Sequence, residues 1–404
     1  MNLQLLLLAL CQGFFMTNNV TFIAINGLVG LNLAPAAWMA TLPVMGYVVG
    51  GALCATLVGK HQRAWGRKRG FQFGLLVAVA SCLLCAYAAW SHNFWLLVAA
   101  TVIAGYYNAN AALYRFAATE LAGPEAKERA ISWVLAGGVL GAVIGPNLAI
   151  ATRDLLPVPF AGAYVALALF ACASLIMLSF ISFPALPQPS ATNPGRPLRE
   201  IARQPVFFIA VLSCALGYGV MNLLMAATPI AMAQHAHPFN SAALVIEWHV
   251  LGMFVPSFFT GSLIKRFGCL PVMGVGLGLE VLCVAVALSG VDVMHFMLAL
   301  VALGIGWNFL YIGGTTLFTQ TYRPEERTTA QAAMDTWVYA TMALTSFFSG
   351  ALITTQGWTW LNIGSLVPLA VLGAGLLWLA ALRRAGRRAQ GQIALLTLPD
   401  AAKK

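Results

Sequence analysis

Charge is what this chain lacks most. Of its 404 residues only 8% are Asp, Glu, Lys or Arg, only 12 are acidic, and 60% are hydrophobic. Soluble domains carry about 25% charged and about 45–50% apolar residues, so an ordinary water-soluble globule is excluded. Long polar stretches are scarce as well, the one extended example running from Pro184 to Gln204. No Walker-type phosphate loop is present, which argues against direct ATP drive, and there is no ferredoxin-like metal domain. Eight cysteines would suggest a disulfide framework in a short secreted chain. Here Cys54, Cys82, Cys85, Cys214 and Cys269 lie within apolar runs or near basic loops, where thiols stay reduced.

What is there is a succession of apolar runs, each long enough for the roughly 20 helical residues that cross a hydrocarbon core. They fall at 3–31, 37–58, 71–90, 94–118, 129–151, 159–183, 206–232, 241–264, 270–290, 294–318, 329–353 and 359–382. The first begins MNLQLLLLALCQGFF without a basic leader region and stays apolar to Leu31, so it reads as a span and not a cleaved signal. The expected fold is an all-α membrane protein of twelve transmembrane helices in two six-helix halves, 1–183 and 206–382. A linker at 184–205 joins them and a basic tail, 383–404, follows.

Twenty of the 22 basic residues occupy alternate loops and the tail; the exceptions are Arg115 and Arg153. Positive loops stay cytoplasmic, so both termini are expected inside a bacterial inner membrane, with lipid as the surrounding partner. Because the net charge of +10 is dispersed among loops, nucleic acid is not expected as a partner.

The halves repeat. Gly59-x6-Gly66 recurs as Gly261-x6-Gly268, and Gly74-Leu75 as Gly276-Leu277, both at an offset of 202 residues. Two parallel six-helix repeats are the arrangement of major facilitator transporters, which hold substrate near the midplane between halves. The segment Gly59-Lys60-His61-Gln62-Arg63-Ala64-Trp65-Gly66-Arg67-Lys68 resembles that family's loop motif between spans two and three. Arg63 stands where the family has Asp, which predicts an altered latch in the first half. Gly137-Gly138-x2-Gly141-x3-Gly145-Pro146 resembles a glycine-rich stretch of exporters, but small residues also serve close helix packing.

Soft ligands occur at helical spacing. Met221 and Met225 lie four residues apart in span seven, as His249 and Met253 do in span eight. Residues i and i+4 share a helix face, with Cβ atoms about 5–6 Å apart. Counted from the ends of their spans, Met225 pairs in depth with His249, and Met221 with Met253. Thioether and imidazole suit Cu(I), although Met is also a common gap-filler in apolar cores. This pair of motifs, M-x3-M then H-x3-M, resembles the CcoA-type copper importers of the major facilitator superfamily over essentially the whole chain.

That resemblance implies copper as transported substrate at Met221, Met225, His249 and Met253, with no permanently bound cofactor. It further implies a supply of copper to cytochrome oxidase assembly, with a cytoplasmic copper chaperone as recipient. His235, His237, Met294, His295 and Met297 would capture the ion at the mouth, and Cys214 and Cys54 would relay it. No enzymatic activity is expected. Among intramembrane acids, Glu247 or Asp335 would couple protons, or Asp335 would latch Lys265 or Arg266; Glu280 in span nine is left without a role. The rival readings are a proton-coupled drug exporter, a metal sensor or assembly factor on the same fold, and an importer of an organic cofactor such as riboflavin. The last of these would use Tyr106, Tyr107, Trp307 and Tyr311 to stack the ring.

Overall fold

The computed structural model describes residues 3–121, 127–184, 196–323 and 326–396. In chain order the helices are α1 (Leu3–Leu33), α2 (Leu42–Trp90), α3 (Phe94–Ala111), α4 (Tyr114–Leu121), α5 (Lys127–Thr152) and α6 (Ala161–Ser179). A short α7 (Leu198–Ala202) precedes α8 (Pro205–Gln234), α9 (Phe239–Phe254), α10 (Ser257–Phe267) and α11 (Cys269–Ser289). The series closes with α12 (Val293–Phe318), α13 (Arg327–Thr355) and α14 (Gly357–Leu396). Among the described residues there is no strand.

Nine stretches are long and apolar enough to cross a bilayer, and ten if the pair α9 and α10, bent by 41°, is one broken span. One of the nine, 37–90, is two spans long. It folds at Gly66, whose φ of 80° and ψ of 166° lie in a region essentially reserved for glycine. With α5 as a further span, twelve crossings result, and the fold class is as the sequence implied. Three boundaries differ from the sequence-based ones. Span eight breaks at Val255–Pro256, because proline offers no N–H to the preceding turn. Span four is interrupted between Ala111 and Tyr114, and α14 carries on helically to Leu396, through the first part of the expected tail.

Small residues set the helix spacing. A Cβ on Gly137 would come within 2.2 Å of the Ala9 carbonyl, and one on Gly141 within 2.4 Å of Met16. The glycine-rich stretch of α5 is therefore the surface that lets α1 approach. Cys82 and Cys85 are buried in the core shared by α1, α2, α3 and α6, as packing residues.

The start of α1, the end of α14 and the Gly66 and Gly268 turns lie on one side, called here the terminal face; the opposite side is the far face. Hydrogen bonds between the halves lie in the far-face part of the molecule. Thr41 Oγ1 donates to the Ser346 carbonyl (2.6 Å) and accepts from the Gly350 N–H (2.9 Å), while Asn147 donates to Glu247 (2.9 Å). The inter-half ring contacts, Trp38–Phe347 and Phe160–Phe239, are there too. These contacts tie the halves together at the far face.

Candidate functional site at the seam between the halves

At mid-depth in the second half, three aromatic rings form a cup. Trp307 and Tyr311, one turn apart on α12, stack at 5.1 Å with planes 12° apart. Tyr218 of α8 meets both edge-on, at 5.2 Å and 5.6 Å. Tyr339 of α13 and Tyr47 of the first half lie within electrostatic reach of Tyr218, so phenols from both halves converge at the seam. Trp307 is 6% exposed, and its indole N–H has no acceptor among the described residues. A buried donor without an acceptor is costly, and a ligand carbonyl would satisfy it.

Of the four aromatics singled out in the sequence, two meet. Tyr107 is committed to the first-half core against Phe15 (5.4 Å), and Tyr106 accepts or donates a 2.8 Å hydrogen bond with His61 nearer the terminal face. Tyr218 was missed. It sits in an all-apolar run, and its only signal is a phenol where the bilayer offers no partner.

The soft-ligand set is buried as a group: Met221 0%, Met225 4%, His249 0% and Met253 6% exposed. The three methionines share one core with Val220, Leu224, Ile246 and Trp307. The helices do not simply face one another, however. α9 packs chiefly on α12 and α5, and α8 chiefly on α13, α12 and α14. His249 directs Nδ1 to the Leu300 carbonyl of α12 (2.7 Å), leaving Nε2 without a partner. The Met253 carbonyl accepts from Asn308 (2.6 Å). Among the described residues no three His, Cys, Asp or Glu side chains converge as a metal site.

The residues expected at the mouth gather at one far-face corner. His235 and His237 lie about Phe296, at 6.3 Å and 6.0 Å between centroids, and their nitrogens bond the carbonyls of Ala231 (2.8 Å) and Val291 (2.7 Å). His295 lies 3.8 Å from Asp292, Met294 is exposed and Met297 packs on the core. The two relay cysteines belong to different clusters. Cys214 Sγ contacts the Tyr311 carbonyl (3.8 Å) and Thr315 (3.9 Å), whereas Cys54 packs with Val58 and Tyr106.

In the first half the latch residues pair around Arg67. Arg63 bonds its own helix, at the Gly59 carbonyl (3.3 Å). Its neighbour Gln62 accepts from Arg67 and donates to Asn110 (2.9 Å), while Arg67 pairs with Glu120 (2.7 Å). In the second half, Arg266 lies over the Phe267 ring (5.2 Å), and Asp335, exposed on α13, is in electrostatic reach of Cys214. Glu247 accepts from Asn147 across the seam. On the terminal face Arg196 grips Glu326 (2.8 Å). Hydrogen bonds from Arg196 and from the Arg323 N–H push the Glu326 carboxyl down to about 2.

A cavity of about 350 Å³ opens at the far-face seam, lined among others by Asn32, Arg153, Phe160, His237 and Phe239. The Arg153 guanidinium lies 5.6 Å from the centres of both phenylalanine rings.

The Major Facilitator Superfamily model matches residues 5–246 and 213–399. The riboflavin transporter RfnT of Brucella anthropi is 40% identical over 362 residues, covering 89% of this chain and 91% of that protein. The uncharacterized MFS-type transporter YddS of Bacillus subtilis is 28% identical, covering 88% and 86%. Among solved structures, a mutant of the nucleoside transporter NupG superposes with a TM-score of 0.76 at 12% identity, over 93% of this chain and 99% of that one. A bacterial homologue of the lysosomal transporter Spinster, inward-facing and occupied, gives 0.72 at 15%, over 93% and 96%.

Proposed function

This chain belongs to the major facilitator superfamily, and we propose that it imports an uncharged aromatic heterocycle of the riboflavin class across a bacterial inner membrane. It is a multi-pass secondary transporter, not an enzyme. The observation that carries the substrate reading is the cup of Tyr218, Trp307 and Tyr311, with its unsatisfied indole N–H at mid-depth. An isoalloxazine ring offers a flat face for stacking and carbonyl oxygens for that donor. Aromatic stacking contributes about 0.5–1.5 kcal/mol beyond the area buried. The relative at 40% identity, a riboflavin transporter, supports the same class.

Taking the basic terminal face as cytoplasmic, the far-face contacts between the halves would hold the outer side in an inward-facing state of an alternating-access pair. Substrate would leave the cup toward the cytoplasm. Return to the outward-open form would break the Thr41–Ser346, Thr41–Gly350 and Asn147–Glu247 contacts and form new ones near Gly66 and Gly268.

The test is uptake of labelled riboflavin by a riboflavin-requiring bacterium lacking its own importer. Wild-type protein should restore saturable uptake. Trp307→Ala should lower uptake at limiting substrate about tenfold, the effect of a 1.4 kcal/mol loss, while Trp307→Phe keeps part of it. Equal uptake by wild type and both variants would refute the cup as the binding site.

Copper import is a second reading, favoured by one specific observation. His249, with Nδ1 engaged by the Leu300 carbonyl, leaves Nε2 free as a lone-pair donor in the core that holds Met221, Met225 and Met253. Metal-binding imidazoles are commonly oriented by such a bond on their other nitrogen. Radioactive copper accumulation that is lost in a Met221→Ala, His249→Ala double variant would establish it. Copper-indifferent cells would return these residues to the core.

A further inference from the structure

Transport against a gradient needs a driving ion, and one buried acid has no other employment. Glu280 stands at the midpoint of α11, roughly 16 Å along the axis from Cys269 at the terminal end. It is 0% exposed, and neither carboxyl oxygen has a hydrogen-bond partner among the described residues. Two glycines make room for it. A Cβ on Gly306 would lie 2.9 Å from Glu280 Cγ, and one on Gly217 would lie 3.8 Å from Oε1. Gly217 precedes Tyr218 and Gly306 precedes Trp307, so the carboxyl sits directly behind the aromatic cup.

Among the described residues no charged side chain is paired with it. On the helices packed around it, Lys265, Arg266, Arg383, Arg384, Arg387 and Arg388 belong to the terminal ends, and His235, Asp292 and His295 to the far ends. Cys214 and Tyr218 of α8, Tyr311 of α12, and Cys269 and Cys283 of its own helix complete the titratable set. A carboxylate without a donor or a cation in such a place is far costlier than the neutral acid. Ionisation therefore requires water to reach it, which requires α8 and α12 to part at the back of the cup. Any motion that opens or loads the cup moves those same two helices.

We propose that Glu280 binds the proton that is co-transported with the substrate. The carboxylate, wetted in the outward-open state, takes one proton from the outer side and becomes the acid. The acid is dry and stable when the seam closes behind the loaded cup, and it releases that proton inward when the inner side hydrates. One positive charge moves inward per cycle. The two acids the sequence favoured for this task are placed differently, Glu247 in the far-face seam with Asn147 and Asp335 exposed on α13. The direction of coupling rests on the import reading above; the protonation site does not.

The experiment uses purified full-length protein. In proteoliposomes, an inside-alkaline pH gradient should drive wild-type riboflavin accumulation. Glu280→Gln, the same shape as the acid, should keep riboflavin counterflow within about twofold yet lose gradient-driven accumulation about tenfold. Glu280→Asp should keep gradient drive with a displaced pH profile, which a purely structural role would not produce. Glu280→Gln accumulating like wild type would overturn the proposal. Independently of substrate, infrared titration of the wild type should show a protonated-carboxyl stretch that disappears at alkaline pH. That band should be absent in Glu280→Gln and moved in Glu280→Asp. If riboflavin is not carried at all, the substrate reading falls and this band still decides Glu280; its absence from the wild type would overturn the assignment.

Discussion

The two halves are built on the same repeat but are filled differently. Gly66 (φ 80°, ψ 166°) and Gly268 (φ 90°, ψ 163°) make the same turn 202 residues apart. Asn110 clamps the first half, accepting from Gln62 and donating to the Gly70 carbonyl (2.8 Å). Asn308 does the corresponding work in the second, accepting from Thr260 (2.7 Å) and donating to Met253 and Ser257. Beyond those shared joints the contents diverge. The first half is tied further by Tyr164–Asn26, Asn18–Cys82 and Arg67–Glu120. The second half holds the aromatic cup, the buried sulfur and imidazole groups, and Glu280. One copy of the repeat serves mainly as scaffold, and the other carries the aromatic cup. Both halves keep buried polar atoms without a partner among the described residues, Asn18, Asn26 and Ser174 in the first, His249, Glu280 and Trp307 in the second. Such groups are costly in a bilayer, and in the second half Trp307 belongs to the cup and Glu280 lies behind it.

The largest effect should come from the scaffold's closest contact. Gly137→Val, whose Cβ would meet the Ala9 carbonyl at 2.2 Å, should abolish monodisperse protein in size-exclusion chromatography. Gly274→Val in the second half, with nothing within 4 Å, should leave the elution profile unchanged. Next, Gly66→Ala and Gly268→Ala should each cost about 1–3 kcal/mol, because both turns use a backbone region that side chains avoid. Thermal melts that differ sharply between the two would break the structural repeat. A smaller effect, about 0.6–2 kcal/mol, is expected for Asn110→Ala and for Asn308→Ala, each losing interhelical hydrogen bonds. Only Asn308→Ala, beside the cup, should also raise the KM for uptake; an equal rise in both would erase the division of labour.

The smallest effect concerns pH on the terminal face. Glu326 is held at about 2 against an ordinary 4.5, so its ion pair with Arg196 adds stability above the ordinary carboxylate range. That contribution is lost as pH falls toward 2. The melting-temperature difference between wild type and Arg196→Ala should therefore be full near neutrality and vanish by about pH 2. A difference that persists unchanged to that pH would assign Arg196 a packing role only.

Much of the fold was legible because a bilayer leaves little choice: an apolar run of about 20 residues must be helical. The broken span at Pro256 and the interrupted one at Ala111 were not, since apolar composition continues through both. The site was half legible. Trp307 and Tyr311 at i and i+4 announced a shared face, and the methionine and histidine spacing did so equally well. Spacing on one helix, however, gives no information about which neighbouring helix that face meets. Here His249 meets Leu300 of α12, and Tyr218 completes the aromatic cup from α8.

The sequence by itself determined the twelve crossings, the twofold repeat and the basic terminal face, because these depend on local hydropathy, glycine spacing and loop charge. Only the tertiary structure decided that the halves are tied together at the far face, that Gln62 and not residue 63 links Arg67 to Asn110, and that Glu280 is alone behind the cup. The reason is that a side chain's partners come from helices far away in sequence. Whether a buried polar group is satisfied or left open to a ligand is a property of that packing.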